Sequence, residues 1–110
     1  MTLAEFEEQV FAVALVSSIC DIPSVVRLTA TAIKLRIETN VGDYIDAFYN
    51  KQTGTTAYAL IDGGKRIFGA DNTGGWHQHP FHDPTRHDPI ASAMTFAEFI
   101  AKIEHQYGYS

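Results

Sequence analysis

Four of the chain's five histidines, His77, His79, His82 and His87, fall within one short stretch, beside Trp76, Phe81, Asp71, Asp83, Arg86 and Asp88. An imidazole changes charge near neutrality, so proton transfer and metal ligation are the chemistries to look for here first. In the metal reading, His77-Gln78-His79 on an extended segment projects both rings to one side, as a zinc- or nickel-like ion needs. A third ligand would then come from His82, His87 or Asp71, and no second paired motif fixes the geometry. In the acid–base reading, a histidine moves a proton at a phosphodiester or ester while Arg66 or Lys65 balances the developing negative charge. The plainest reading is structural, with the imidazoles bonding loop carbonyls and holding a proline-rich loop on the fold.

The neighbouring residues divide in the same way. Trp76 and Phe81 could stack on a base, or could anchor the loop to the core. Arg66 alternates with Ile67 and so points away from that residue's face. Cys20 reads as a small buried apolar residue. Gly63-Gly64-Lys65 is no phosphate loop, since it lacks both the strand–loop–helix frame and a following Ser or Thr.

These residues need a scaffold, and the hydrophobic pattern supplies one. Thr2-Leu3-Ala4-Glu5 reads as a capping box, and Leu3, Phe6, Val10 and Val13 follow at helical spacing, predicting a helix from Leu3 to about Ser17. Between Val25 and Ala32 the apolar residues lie on even positions, whereas Ile33, Leu35 and Ile37 lie on odd ones, so a register change is expected near Ala32. Strands are predicted over Ile33–Glu38, Tyr44–Tyr49, Thr55–Ile61 and Lys65–Ala70, joined by turns at Asn40–Asp43, Asn50–Gly54 and Asp62–Gly64. Connections this short make an antiparallel meander. The hairpin at Asp62–Gly64 should bring Tyr58 and Phe68, or their immediate neighbours, close together. Asp71–Pro89, with Gly74, Gly75, Pro80, Pro84 and Pro89, reads as a long irregular loop. Thr95-Phe96-Ala97-Glu98 repeats the capping box, and Phe96, Phe99, Ile100, Ile103 and Tyr107 form one helical stripe. The expected fold is α+β: an N-terminal helix, an antiparallel meander of four to six strands, a long His/Pro loop and a C-terminal helix packed on the sheet.

Composition bounds what such a fold can be. With 110 residues, 45% of them hydrophobic and 19% charged, residues 1–110 read as one domain with its own core. The net charge of −5, from 13 acidic and 8 basic side chains, argues against non-specific DNA binding, although a local basic patch can survive in an acidic protein. A single cysteine excludes an intrachain disulfide. No apolar run is long enough for a membrane span, and Glu5, Glu7 and Glu8 stand where a signal peptide needs positive charge. A soluble cytoplasmic domain is expected, with no membrane partner and room for a homo-oligomer.

One segment carries more specific information. Tyr58-Ala-Leu-Ile-Asp-Gly-Gly-Lys-Arg-Ile-Phe-Gly-Ala-Asp-Asn72, followed by Gly74-Gly-Trp-His-Gln-His-Pro-Phe81, resembles the TumE-type toxin family of toxin–antitoxin modules. The matching positions are Tyr58, Asp62, Arg66, Phe68, Asp71, Asn72, His77 and His79, and the likeness extends over about Ile33 to Tyr107. The loop departs from the family in reading Trp-His-Gln-His-Pro where a denser histidine run is frequent. The resemblance implies a small α+β toxin grouped loosely with RelE/ParE-like proteins, growth arrest as its effect, and a cognate helix-turn-helix antitoxin as partner. By analogy with ribonucleases it implies RNA as a target and His77, His79, Arg66 and Asp71 as the catalytic group. Trp76, Tyr58, Asn72 and Lys65 would then contact substrate. It calls for no cofactor, and a divalent metal at His77 and His79 stays open. The rival expectation is a non-enzymatic binding or assembly domain, in which the histidine loop is structural or holds that metal.

Overall fold

Both helices begin with the same device. The Thr2 hydroxyl accepts from the Glu5 amide at 3.0 Å while the Glu5 carboxylate accepts from the Thr2 amide at 2.7 Å. Thr95 and Glu98 repeat the exchange at 3.1 and 3.0 Å. Each box satisfies two otherwise orphaned donors of the first turn. The computed structural model describes residues 1–108, and the two capped helices are α1 (Leu3–Val16) and α2 (Phe96–Gln106). Neither helix is long and apolar enough to cross a membrane.

Between them runs one sheet: β1 (Ser24–Leu28), β2 (Ala32–Glu38), β3 (Tyr44–Asn50), β4 (Thr56–Asp62), β5 (Lys65–Asp71), β6 (His77–His79) and β7 (Asp88–Pro89). The strands lie in chain order and every neighbouring pair is antiparallel, so the sheet is a seven-stranded meander. The α+β class, the two helices and the meander follow the sequence pattern. The strand count exceeds the expected four to six, because part of the stretch read as irregular is paired. β6 bonds to β5 and β7 to β6. The prolines permit this by position: Pro80 lies just past β6, and Pro89 lies in the edge strand, where a missing N–H breaks no ladder. The expected parity change appears as the break between Leu28 and Ala32, with a further irregularity between Val25 and Arg27.

One face of the sheet carries both helices. Phe6 of α1 stacks on Tyr49 of β3 with ring centroids 5.3 Å apart. Phe99 of α2 sits against Tyr58 of β4 at 5.3 Å and Phe68 of β5 at 5.0 Å. Ile33, Leu35, Ile37, Ile45, Leu60 and Ala70 complete this buried layer. Across the hairpin Leu60 faces Phe68 and Tyr58 faces Ala70, so the two expected aromatic positions are near-neighbours gathered on the Phe99 ring.

A bulge in that hairpin decides where the chemistry goes. Asp62 faces Lys65 and Ile61 faces Arg66, after which the register shifts so that Leu60 faces Phe68. Ile67 is the extra residue. Phe68 therefore enters the core while Arg66 stays on the opposite face, with Ile61, Ala59 and Gly69. Gly69 has to be small. A Cβ there would stand 3.0 Å from Arg66 Cδ, 3.1 Å from the Tyr58 carbonyl and 3.4 Å from His79 Cδ2. The carbonyl is fixed in the ladder and cannot yield. Gly69→Ala should cost about 1–3 kcal/mol in urea unfolding, the usual penalty for overpacking; a midpoint equal to wild type would show that the strand has slack.

Two tyrosines register the packing of α2. Burial pushes the Tyr58 phenol up to about 12, with Glu98 adding to the shift. Tyr107, which donates to the Asp43 carboxylate, is raised too, chiefly by burial and then by that bond. An acid whose folded value is raised binds its proton more tightly in the folded state. The associated stability is thus complete below pH 10 and is lost as pH rises towards 12. Phenolate absorbance from these two rings should emerge together with unfolding; their titration near pH 10 in a still-folded protein would contradict the packing.

Candidate functional site

The register of β5 and β6 assembles the cluster. Asp71 faces His77 and Gly69 faces His79 across the ladder. Residues two apart on a strand share a face, so both imidazoles lie beside the Asp71 carboxylate on the side away from the helices. Gly74 and Gly75, at φ +69° and +104°, allow the turn that returns β6 along β5. Asp71 holds both rings: Oδ1 lies 3.2 Å from His77 Nε2 and Oδ2 lies 3.3 Å from His79 Nε2. Oδ1 also accepts from the Thr73 amide at 3.0 Å, which fixes the carboxylate.

The other nitrogen of each ring meets a backbone carbonyl. His77 Nδ1 is 3.1 Å from the Gly75 oxygen, and His79 Nδ1 is 2.9 Å from the Arg86 oxygen. Arg66 Nη2 also lies 3.3 Å from His79 Nδ1. One nitrogen cannot donate to a carbonyl and accept from a guanidinium at once. The shorter contact, to an oxygen that can only accept, assigns the hydrogen to Nδ1, and Arg66 is then a cationic neighbour. Its own donor goes to the Pro84 carbonyl at 3.2 Å.

The loop between β6 and β7 wraps around the sheet edge to close this arrangement. On the helix side Phe81 stacks on Phe68, with centroids 4.3 Å apart and planes within 5°. On the histidine side the Pro84 and Arg86 carbonyls come down on Arg66 and His79. His79 is consequently only 2% exposed, whereas the His77 and Asp71 side chains retain 16% and 18%. His87 is exposed, and its ring centroid lies 4.5 Å from that of His79 and 5.1 Å from that of His77. The ligand atoms of His77, His79 and His87 all fall within 4.8 Å of one another.

Arg66, Asp71, His77 and His79, read from sequence as one group, are thus brought together. The four residues expected to contact substrate are not. Tyr58 is buried on the helix face against Phe96 and Phe99. Trp76 is partly buried, 6.3 Å from Tyr58, and serves as the loop's anchor to the core. Asn72 uses both ends of its amide as a clasp, accepting from the Thr56 amide and donating to the Gly54 carbonyl, each at 2.9 Å. Lys65 lies exposed at the hairpin tip opposite Asp62. His82 is drawn off by Arg86 Nη1 at 3.1 Å, which leaves His87 and Asp71 as the companions of the pair. His87 was legible only as one option of three, because its place depends on β7: with Gln78 opposite Asp88, residue 87 comes across from His79.

Beyond the cluster, neither α1 nor α2 covers the same face among the described residues. Cross-strand partners share a face, which puts Arg27, Lys34, Arg36 and Arg66 on it, four of the chain's eight basic residues. Arg36 forks onto Asp46 at 2.9 and 3.1 Å and lies 4.2 Å above the Tyr44 ring. Lys34, Asp46, Phe48, Ala57, Ala59 and Ile61 line a shallow cavity of about 220 Å³ there. Set beside protein-family models, curated proteins and solved structures, the chain matches none of them.

Proposed function

We propose that this chain is the toxin of a toxin–antitoxin module, a ribonuclease-like protein whose reactive centre is Arg66, Asp71, His77 and His79. The observation that supports it best is the convergence of these four side chains, from two strands, within 3.3 Å contacts on the face opposite the helices. A cation beside a carboxylate-held pair of imidazoles suits chemistry at a phosphodiester, where charge builds on non-bridging oxygens. The face around it supports the same substrate. Arg27, Lys34 and Arg36 lie there against Glu38 and Asp46, with Asp46 pairing both Lys34 and Arg36, and Tyr44 and Phe48 offer ring surfaces to single-stranded RNA. The partner under this reading is a helix-turn-helix antitoxin.

Induced expression of the chain alone should arrest growth and degrade RNA, and co-expression with the neighbouring gene should restore both. Unimpaired growth with intact RNA would end the proposal. A second reading, a non-enzymatic binding or assembly domain, draws on the burial of His79, which is 2% exposed and bonded to the Arg86 carbonyl of the loop that follows β6. It expects no RNA degradation at any expression level.

A further inference from the structure

We propose that the cluster is a binding site for one divalent transition-metal ion, held by Nε2 of His77, Nε2 of His79, a ring nitrogen of His87 and the Asp71 carboxylate. As a binding site this stands on geometry alone; as the chemistry of the centre it rests on the reading above.

The hydrogen-bond inventory carries the argument. A neutral imidazole has one N–H and one lone pair. In both His77 and His79, Nδ1 meets a carbonyl and Nε2 meets Asp71, and the one donor near these four positions, Arg66 Nη2 at 3.3 Å from His79 Nδ1, makes a longer contact than the Arg86 carbonyl at 2.9 Å. With Nδ1–H committed to the Gly75 and Arg86 carbonyls, each Nε2 lone pair points at a carboxylate oxygen. Something positive belongs between them, and two extra protons or one metal ion would serve. His87 decides between these. Arg66, on the far side of the His79 ring, opposes either positive occupant alike, whereas the third imidazole, drawn to within 4.5 Å of that ring, has no part to play for a protonated pair. To a metal it adds a ligand.

The distances agree with this. Zn–N bonds of about 2.0–2.1 Å in a tetrahedron separate neighbouring ligand atoms by roughly 3.3 Å. His77 Nε2 stands 3.2 Å from Asp71 Oδ1 and His79 Nε2 stands 3.3 Å from Oδ2, so a carboxylate bound through one oxygen has only to turn slightly to serve both. One ring nitrogen each of His77, His79 and His87 lies within 4.8 Å of the other two, and the exposed His87 ring must draw in to share a metal with Asp71. A ligating histidine normally donates its other N–H to a carbonyl or carboxylate, which sets its tautomer. Gly75 and Arg86 provide those carbonyls. Three imidazoles and one carboxylate favour zinc, nickel, cobalt or copper over magnesium or calcium.

The test uses the purified full chain, stripped with chelator and titrated with Zn²⁺ and with Co²⁺. The expected result is one ion per chain, a cobalt visible spectrum of tetrahedral type, and a melting temperature raised by roughly 10 °C at a hundredfold excess over Kd. His87→Ala and Asp71→Asn should each weaken zinc binding by about 100-fold or more, while His105→Ala on α2 leaves it unchanged. Absence of binding would overturn the site, as would binding indifferent to His87→Ala and Asp71→Asn. The two readings fail separately. A protein that binds zinc but leaves growth unaffected keeps the site and loses the toxin; one that arrests growth without taking up metal does the reverse.

Discussion

Phe99→Ala should destabilise the fold by about 3–5 kcal/mol, the range for truncating a fully buried aromatic. Phe99 has no exposed surface and is the ring through which α2 touches both β4 and β5, by way of Tyr58 and Phe68. Its loss opens a cavity between helix and sheet and removes the support under Phe68. Because Phe81 stacks on the other side of Phe68, the damage reaches the loop that covers His79. Urea unfolding should show the full loss, with a melting temperature at least 10 °C lower. A shift of a degree or two would mean that the Phe96–Ile103 stripe is not packed on the sheet.

The second large effect separates the two paired imidazoles. His79 is buried, bonds the Arg86 carbonyl and lies against Asp71. His79→Ala leaves a cavity and strands both acceptors, and should cost about 2–4 kcal/mol whatever the site does. His77 keeps some exposure, and its bonds can pass to water. His77→Ala should cost about 1 kcal/mol or less. If the cluster is functional, the two variants lose activity alike while their unfolding midpoints differ widely. Equal midpoints would contradict the burial of His79. The double variant alone would mix the two effects, since part of its loss would be lost fold.

Much of this was readable in the chain. The capping boxes and the helical stripes located α1 and α2, because a Thr-x-x-Glu start and 3.6-residue periodicity depend only on local sequence. Alternation placed β2 to β5 for the same reason. The cluster was legible in part: spacing two apart implies a shared face once the segment is extended, and His77-Gln78-His79 is extended. What escaped was everything set by pairing. The Pro- and Gly-rich stretch looked irregular, yet β6 needs only three paired residues. The bulge at Ile67, which sends Phe68 inward and keeps Arg66 on the histidine face, has no residue signature. Tyr58 and Asn72 carry the chemistry of ligand contacts and do the work of core and clasp. Only their neighbours in three dimensions distinguish those roles.

The claim that this cluster is the functional centre is tested most directly by inducing wild type and His77→Ala in parallel, without the neighbouring gene, and following growth and RNA integrity. The variant must first be shown to accumulate and to melt within a few degrees of wild type. Arrest and RNA loss are expected with the wild-type chain, and normal growth with intact RNA for His77→Ala. Arrest of equal depth from both chains would contradict the claim, and would place the activity away from the histidines.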